Sequence, residues 1–186
     1  MMNALLPEHS SFIIHHSSFI MLYLLLGANL NDRAQTLRRA ADLIAERIGS
    51  VVRQSALYET APWGVTDQPA YLNQVLAVET MLLPETVLMQ TQRIEAELGR
   101  VRLEKWGARV IDVDILYYDD LVTESETLTI PHPYLHQRRF TLVPLAEIVP
   151  EFVHPVFQKT TAELLAGCGD VNDVLLYHPL PTSPLR

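Results

Sequence analysis

Cysteine is nearly absent from this sequence of 186 residues, which contains only Cys168. One thiol cannot form an internal disulfide, so a small secreted scaffold held together by disulfides is excluded. Long apolar runs are also missing, since no segment reaches the roughly 18 residues that a membrane-spanning helix needs. The short apolar run at 19–26 has no basic segment before it, so it indicates a buried strand rather than an export signal. We therefore expect a cytoplasmic protein.

Basic residues are scarce as well. The chain has 14 lysines and arginines against 22 acidic residues, which gives a net charge of −8. Such a surface repels polyanions unless basic residues are concentrated locally, so we expect no general binding to nucleic acid. Apolar residues make up 48% of the chain, which is enough for a packed core, and the length is that of one domain.

Both ends of the chain differ in composition from the middle. Residues 1–20 contain the near-repeat His-Ser-Ser-Phe-Ile at 9–13 and 16–20, and such low complexity predicts a disordered extension. Metal binding by its histidines is the alternative, but ligands need a framework to hold them. Met21 directly precedes the first predicted strand and is a candidate start of the functional protein. Residues 171–186 are predicted to form a proline-rich C-terminal tail.

Periodicity and helix-stop signals between these ends predict an α+β domain. Apolar residues at helical spacing follow a candidate N-cap at Asn31 and stop at Gly49, and a second helix runs from Pro84 to just before Gly99. A third helix is predicted near 139–148. Strands are predicted at 22–26, 51–58, 73–80 and 110–118. The order β-α-β-β-α-β is the ferredoxin-like pattern, an antiparallel sheet with helices packed on it.

The last predicted strand carries a pair of carboxylates. Side chains alternate between the two faces of a strand, so Asp112 and Asp114 share one face while Ile111, Val113 and Ile115 share the other. The Cα atoms of the two aspartates should lie about 6.5 Å apart, and carboxylates that close repel each other unless a cation lies between them. Mg²⁺ often uses one or two carboxylates together with substrate phosphates. For this pair alone, a solvated strand face is the alternative.

A basic loop precedes this strand. Arg93, Arg100, Arg102, Lys105 and Arg109 place five of the 14 basic residues within 17 positions of an otherwise acidic chain. A solvated loop that offsets the acidity would explain the charge by itself. However, cations that neutralise phosphate oxygens, next to carboxylates that hold a metal, together make a site for Mg²⁺ and a polyphosphate. We therefore predict a metal-dependent, kinase-type transferase.

Other polar and aromatic positions are ambiguous from the sequence alone. Trp106 is poorly placed for a core, which favours a role in covering a flat ligand. Gln92 and Glu95 flank the apolar stripe of the second helix, where ordinary boundary polarity is an equally good explanation. Edge packing is the simpler explanation for Tyr71, and a structural role is the simpler explanation for His132.

Several segments resemble one protein family in order along the chain. The most specific is KWGARVIDVDIL at 105–116, and LGANL at 26–30 is similar to the first-strand motif of that family. Further matching segments lie at 58–64, 67–69, 71–73, 130–133 and 138–145. Over residues 21–165 the chain resembles 6-hydroxymethyl-7,8-dihydropterin pyrophosphokinase, an enzyme of folate biosynthesis. The resemblance implies a pyrophosphokinase domain at 21–170.

This resemblance also implies a Mg²⁺-dependent reaction. The β,γ-diphosphate of ATP would move to the hydroxymethyl oxygen of the pterin with release of AMP, catalysed by a monomer with no nucleic-acid or membrane partner. Asp112 and Asp114 would hold two Mg²⁺ ions and, with Arg100 and Arg109, would be the catalytic residues. The residues implied around ATP are Gln92, Glu95, Arg100, Arg102, Lys105, Arg109, Ile115, Thr129, His132 and Arg138. Those implied around the pterin are Thr60, Ala61, Trp63, Tyr71, Asn73, Trp106 and Phe140.

Two other classes of function share part of this pattern. A ferredoxin-like module that binds a ligand without catalysis would keep the fold but would not need paired aspartates. A metal-dependent nuclease could use the same carboxylates, but its polyanionic substrate conflicts with the net charge of −8.

Overall fold

A computed structural model describes residues 19–62, 68–100 and 109–178 of the chain. The described strands are β1 (Ile20–Ala28), β2 (Ser50–Gln54), β3 (Tyr58–Thr60), β4 (Tyr71–Thr80), β5 (Asp112–Tyr118), β6 (Thr123–Glu124), β7 (Thr129–Ile130) and β8 (Val174–Leu176). The described helices are α1 (Arg33–Arg47), α2 (Pro84–Glu97), α3 (Arg139–Ile148) and α4 (Thr161–Ala166), with a 3₁₀ turn at Leu135–Gln137. Among these helices, none is long and apolar enough to cross a membrane.

The main sheet is antiparallel, with the strand order β5-β1-β4-β3-β8 and with β2 also paired to β4. With β2 and β3 together in the place of one strand, the chain follows the ferredoxin-like order. The predicted fold class is therefore confirmed. β1 lies between β4 and β5, and its Gly27 is opposite Asn73 on one side and Asp112 on the other.

Helices cover both faces of the sheet. Side chains alternate along β1, so Leu22, Leu24 and Leu26 pack in the core formed with α1 and α2, while Tyr23 and Leu25 pack in the core formed with α3 and α4. A strand buried on both faces appears in the sequence as one continuous apolar run. The central strand is thus held from both sides, and the residues at its carboxyl end have a fixed position.

The prediction of a single strand at 51–58 is wrong. The structure divides it into β2 and β3, which both pair with β4, and Ser55 interrupts the pairing between them. The Ser55 hydroxyl accepts a hydrogen bond from the Val75 amide at 3.0 Å, and Gln74 Nε2 donates to the Ser55 carbonyl at 2.8 Å. Side-chain hydrogen bonds compete here with the regular ladder, and the apolar pattern of the sequence does not reveal them.

The first helix begins one residue later than predicted. Asp32 rather than Asn31 is the N-cap, and its carboxylate accepts a hydrogen bond from the Gln35 amide at 3.0 Å. Asn31 has a φ of 59°, in the left-handed region that asparagine enters more readily than most residues. The predicted stop at Gly49 is confirmed, since its amide donates to the Ile44 carbonyl at 3.2 Å.

The strand that carries the carboxylates begins at Asp112, not at the predicted Val110. The cause lies in Asn29, directly after β1. Its main-chain N–H donates to the Arg109 carbonyl at 3.2 Å, and its side-chain oxygen accepts from the main-chain N–H of Arg109 at 2.8 Å. A side chain thus holds the chain before Asp112, where the sequence predicted strand pairing.

β8 lies in the segment that the sequence predicts as a proline-rich tail. It pairs with β3, with Val174 opposite Thr60, and the Tyr177 amide donates to the Leu57 carbonyl at 2.8 Å. The sheet therefore includes part of this segment. The predicted disordered extension at 1–20 ends too late, since Ile20 is already the first residue of β1 and pairs with Thr80. Residues 1–18 of that extension, and residues 179–186 of the tail, lie outside the described residues.

Candidate active site

A cleft of about 660 Å³, including its open mouth, lies at the carboxyl end of β1. Leu25 and Gly27 of this central strand line it. Nine residues of the predicted site line the same cleft, namely Thr60, Ala61, Tyr71, Asn73, Arg109, Asp112, Asp114, Arg138 and Phe140. The structure therefore brings predicted metal ligands, predicted phosphate-binding arginines and predicted pterin-binding residues into one space.

Asp112 and Asp114 lie on the cleft side of β5, as the alternation predicts. Both are half-buried, whereas Val113 between them packs into the core. Arg100 Nη1 lies 2.7 Å from Asp112 Oδ1, and Arg109 Nη1 forms an ion pair with Asp112 Oδ2. Each oxygen of the Asp112 carboxylate thus has a cationic partner.

Asp114 has a less favourable environment. Its side chain is 33% accessible, and a histidine, His132, lies at the limit of ion-pair distance from it. Loss of hydration, together with the charge of Asp112, raises the pKa of Asp114 to about 7, although Arg138 acts in the opposite direction. A cation favours the ionised form, so this carboxylate would bind a metal ion with release of a proton near neutral pH.

His132 faces Asp114, with 3.9 Å between Nε2 and Oδ2. Burial lowers the pKa of His132 to about 4, and the charge of Arg138 acts in the same direction. The ring is therefore neutral near pH 7. Because Nδ1 accepts a hydrogen bond from the Tyr134 amide at 3.2 Å, the ring proton is assigned to Nε2. The imidazole thus presents an N–H group towards Asp114, and not a full positive charge.

Glu95 connects α2 to the strand of the carboxylates. It is only 4% exposed, accepts a hydrogen bond from the Val113 amide at 2.8 Å and forms an ion pair with Arg100. Burial raises the pKa of Glu95, while the Val113 bond and the Arg100 charge lower it. Glu95 therefore holds Arg100 beside Asp112. A polar residue that merely lay at the boundary of the core would not be buried and paired in this way. Gln92, on the same helix, is exposed.

Another part of the cleft is built from β3, β4 and α3. Asn73 is buried, and its Nδ2 donates to Thr60 Oγ1 at 2.8 Å. Gly27 lies opposite it, and a Cβ at this position would come within 3.2 Å of Asn73 Oδ1, a tight contact that would push the amide. Phe140 comes from the first turn of α3, and the Arg138 guanidinium lies 5.7 Å from its ring centre. An amide and an aromatic ring thus face the same space as the carboxylates.

The remaining predicted residues are distributed differently. Thr129 and His132 line a second cavity of about 760 Å³, and Ile115 is buried in the core beneath β5. Four predicted residues lie outside the described part of the chain, namely Trp63, Arg102, Lys105 and Trp106.

The carboxylate pair fits a Mg²⁺ ion that arrives with a polyphosphate. Among the described residues, no group of three or more His, Cys, Asp or Glu side chains is placed to hold a metal ion. Mg²⁺ commonly takes only one or two protein carboxylates and fills its other positions with phosphate oxygens and water. The raised pKa of Asp114 agrees with this, because a cation would relieve the repulsion between two adjacent carboxylates.

Asn29 is a residue of this region that the sequence analysis did not single out. It is 2% exposed and makes hydrogen bonds to Gln68, Pro69 and Arg109. Its motif LGANL resembles the first-strand motif of the family, but asparagine after a strand is also an ordinary turn residue. The bonds that distinguish it join residues about 40 and 80 positions away, so no local pattern could have shown them.

Comparisons with known proteins agree with these features. A family model described as 7,8-dihydro-6-hydroxymethylpterin-pyrophosphokinase (HPPK) matches residues 23–150. The 2-amino-4-hydroxy-6-hydroxymethyldihydropteridine pyrophosphokinase of Methylorubrum extorquens is 46% identical over 145 residues, which cover 77% of this chain and 90% of that protein. The protein of the same name from Haemophilus influenzae is 43% identical over 152 residues, covering 81% of this chain and 94% of that protein.

Solved structures show the same fold. A crystal structure of an HPPK-DHPS in complex with substrates matches with a TM-score of 0.67 at 15% identity, over 81% of this chain and 43% of that one. A triple mutant of the Plasmodium falciparum HPPK-DHPS with pteroate matches with a TM-score of 0.65 at 18% identity, over 80% of this chain and 43% of that one. The chain thus spans less than half the length of these solved proteins. Because the family model matches most of the chain and the relatives match it over nearly their whole length, this chain belongs to the 7,8-dihydro-6-hydroxymethylpterin-pyrophosphokinase family.

Proposed function

We propose that this protein transfers the β,γ-diphosphate of ATP to the hydroxymethyl group of 6-hydroxymethyl-7,8-dihydropterin, with AMP as the second product, in folate biosynthesis. One observation carries the proposal: a single cleft is lined by the carboxylates of Asp112 and Asp114, by the cations Arg109 and Arg138, and by the aromatic and amide groups suited to a pterin. The relatives named as pyrophosphokinases support it. The enzyme would act as a cytoplasmic monomer, and the catalytic domain predicted at 21–170 would extend through β8 to Leu176, because that strand pairs with β3.

The arginines would bind and orient the phosphates. Arg100 and Arg109 lie against Asp112, and Arg138 lines the same cleft. A guanidinium group can donate two parallel hydrogen bonds to phosphate oxygens, so these side chains can exchange a carboxylate for a triphosphate. Charge that grows on the bridging oxygen as AMP leaves would strengthen such bonds. Arginines held beside the aspartates therefore serve transition-state binding as well as substrate binding.

The aromatic and amide groups would bind the pterin. Tyr71 and Phe140 line the cleft and can stack on a flat ring. Asn73 is oriented by its bond to Thr60 and offers a donor and an acceptor to the polar edge of the ring. Ala61, Trp63 and Trp106 complete the predicted pterin contacts. A ring held in this way places its hydroxymethyl group in the cleft that the aspartates line, which supplies the proximity that the reaction needs.

Asp112 and Asp114 would hold Mg²⁺, two ions in this proposal, and the bound metal would polarise the transferred phosphoryl group and neutralise its charge. Glu95 would keep Arg100 next to Asp112. The other predicted contacts of ATP are Gln92, Arg102, Lys105, Ile115, Thr129 and His132.

The test is AMP formation by the full-length chain with ATP and Mg²⁺, with and without the hydroxymethyl pterin. We expect AMP and pterin diphosphate in equal amounts, and AMP only when the pterin is present. Asp112→Asn and Asp114→Asn should each reduce kcat by about 100-fold or more. The matched control is Asp120→Asn, an exposed acid just after β5, which should keep wild-type activity.

The same assay separates the alternatives. A nuclease would release nucleotides from DNA or RNA through the same aspartates and would be indifferent to the pterin. A binding module without catalysis would bind the pterin in a titration but would leave ATP intact. Either result would contradict the proposed function.

A further inference from the structure

We infer that Asn29 is a positioning residue that holds the phosphate side and the pterin side of the cleft in one fixed geometry. The inference rests on the proposed function, because it concerns the same cleft. Asn29 directly follows β1 and is 2% exposed, and the cleft is lined by its neighbours rather than by its own side chain. It would therefore act through other residues and not through contact with a substrate.

On the phosphate side, Asn29 holds the backbone of Arg109 by two bonds. The main-chain N–H of Asn29 donates to the Arg109 carbonyl at 3.2 Å. The side-chain oxygen, Asn29 Oδ1, accepts from the main-chain N–H of Arg109 at 2.8 Å. Both bonds fix one residue outside the strand ladder, three positions before Asp112. The guanidinium of Arg109 pairs with Asp112, so the position of this cation depends on the bonds that hold its main chain.

On the pterin side, the same side chain holds the segment that leads into β4. Asn29 Nδ2 donates to Gln68 Oε1 at 3.2 Å and to the Pro69 carbonyl at 3.3 Å. Gln68 Oε1 in turn accepts from the Tyr71 hydroxyl at 3.3 Å. Asn29 thus positions the aromatic residue that we propose for the pterin, through one intermediate side chain.

The chemistry of an amide explains why asparagine occupies this position. Its oxygen serves Arg109 and its NH₂ group serves Gln68 and Pro69, so one planar group supplies an acceptor and donors at the same time. Aspartate would keep the acceptor and lose the donors, and alanine would lose both. Because Asn29 directly follows β1, a strand that is buried on both faces, its bonds connect both sides of the cleft to the packed core of the fold.

Arg33 offers a matched control. Its Nη1 donates to the Ala70 carbonyl at 2.7 Å, and its Nη2 pairs with Glu59 at 2.7 Å. It therefore restrains the segment before Tyr71, as Asn29 does, but its described bonds do not include Arg109. Arg33→Met removes a restraint from the pterin side alone.

The experiment compares steady-state kinetics of Asn29→Ala, Asn29→Asp, Arg33→Met and wild type, with rates expressed per folded molecule from circular dichroism. Asn29→Ala should lower kcat by about 10- to 100-fold, because small misplacements of reacting groups cost that much, and should also raise the pterin KM. Asn29→Asp keeps the acceptor for Arg109, so its kcat should be at least about tenfold above that of Asn29→Ala while the pterin KM stays raised. Arg33→Met should raise the pterin KM and leave kcat within about threefold of wild type.

The outcomes separate this inference from the proposed function. If wild type forms no AMP from ATP and the pterin, the proposed function fails. If wild type is active but Asn29→Ala has wild-type kcat and KM per folded molecule, the inference is overturned, because the residue is then only structural. Should Asn29→Ala not fold, Asn29→Asp decides the matter: a raised pterin KM with kcat largely kept supports the inference, and any other pattern overturns it.

Discussion

Arg109 and Asp112, three positions apart in the chain, form an ion pair in the cleft that both residues line. With Arg100 on the other oxygen, the Asp112 carboxylate is fully engaged by cations. A metal ion that binds Asp112 must compete with these guanidinium groups for the negative charge of the carboxylate. The phosphates of ATP would offer the arginines a new partner, so metal and nucleotide binding should favour each other.

We therefore predict that Mg²⁺ alone binds weakly and that Arg109→Ala strengthens this binding. The expected gain is about tenfold or more, since a hydrogen bond to a charged group contributes roughly 1.5–3 kcal/mol. Calorimetric titration of Mg²⁺ without nucleotide measures it. Arg93→Ala, at an exposed position of α2, is the control for the general loss of one positive charge. Equal Mg²⁺ affinity in both variants would show that the ion pair does not compete with the metal.

Arg109 should matter more to the chemical step than to pterin binding. Its main chain is held by Asn29, and an anchored guanidinium can present parallel donors to phosphate oxygens. Arg109→Ala should lower kcat about 100-fold. Arg109→Lys should recover only part of the loss, because lysine keeps the charge but lacks the two parallel donors of a guanidinium group. Steady-state kinetics and direct pterin titration measure the two effects. A large loss of pterin affinity with unchanged kcat would contradict the assignment of Arg109 to the phosphates.

The pKa of Asp114 predicts how stability depends on pH. The folded-state pKa of about 7 lies above the ordinary aspartate value of 3.8, so between these pH values the metal-free folded protein holds a proton that the unfolded chain releases. This group therefore contributes stability at pH 4 and below that is lost as pH rises through 7. Urea unfolding in EDTA from pH 5 to 8 should show that decline, and Asp114→Asn should reduce it. If stability declined with pH as steeply in Asp114→Asn as in wild type, the raised pKa would not belong to Asp114. With Mg²⁺ present, wild type should bind the ion more tightly as pH rises.

Gly49 is predicted to be needed for space, in addition to its place at the end of α1. A Cβ there would collide with the backbone of Glu79 in β4. Gly49→Ala should lower the free energy of unfolding by about 1–3 kcal/mol, the usual cost of overpacking. Gly169→Ala, where a Cβ meets open space, is the matched control. Urea unfolding of both variants measures the difference, and equal stability would refute the close approach.

A chain that begins at Met21 should fold and turn over normally. The Met21 amide donates to Asp119 Oδ1 at 2.8 Å, and the Asp119 amide donates to the Met21 carbonyl at 2.8 Å. In the shorter chain an amino terminus would replace the Met21 amide and could form an ion pair with Asp119. Melting temperature and kcat of the two chains test this. A large loss of either would show that residues 1–20 contribute to the folded enzyme.

The sequence by itself determined the elements whose causes are local. The continuous apolar run at 22–26 predicted a buried strand, and the spacing of apolar residues predicted α1 and α2. Strand alternation was enough to place Asp112 and Asp114 on one face, away from the core. These features depend on periods of two and 3.6 residues, which any window of the sequence contains.

Only the tertiary structure decided which polar groups meet. Ser55 breaks a predicted strand because it bonds to β4, and Glu95 holds Arg100 because α2 packs beside β5. Asn29 bonds to residues that are about 40 and 80 positions away, and β8 joins a sheet edge formed by a distant β3. A buried polar group is stable only when it finds a partner, and that partner is set by how the elements pack. The residues of the cleft could therefore be predicted from local pattern and family resemblance, whereas the bonds that fix their geometry could be seen only in the folded chain.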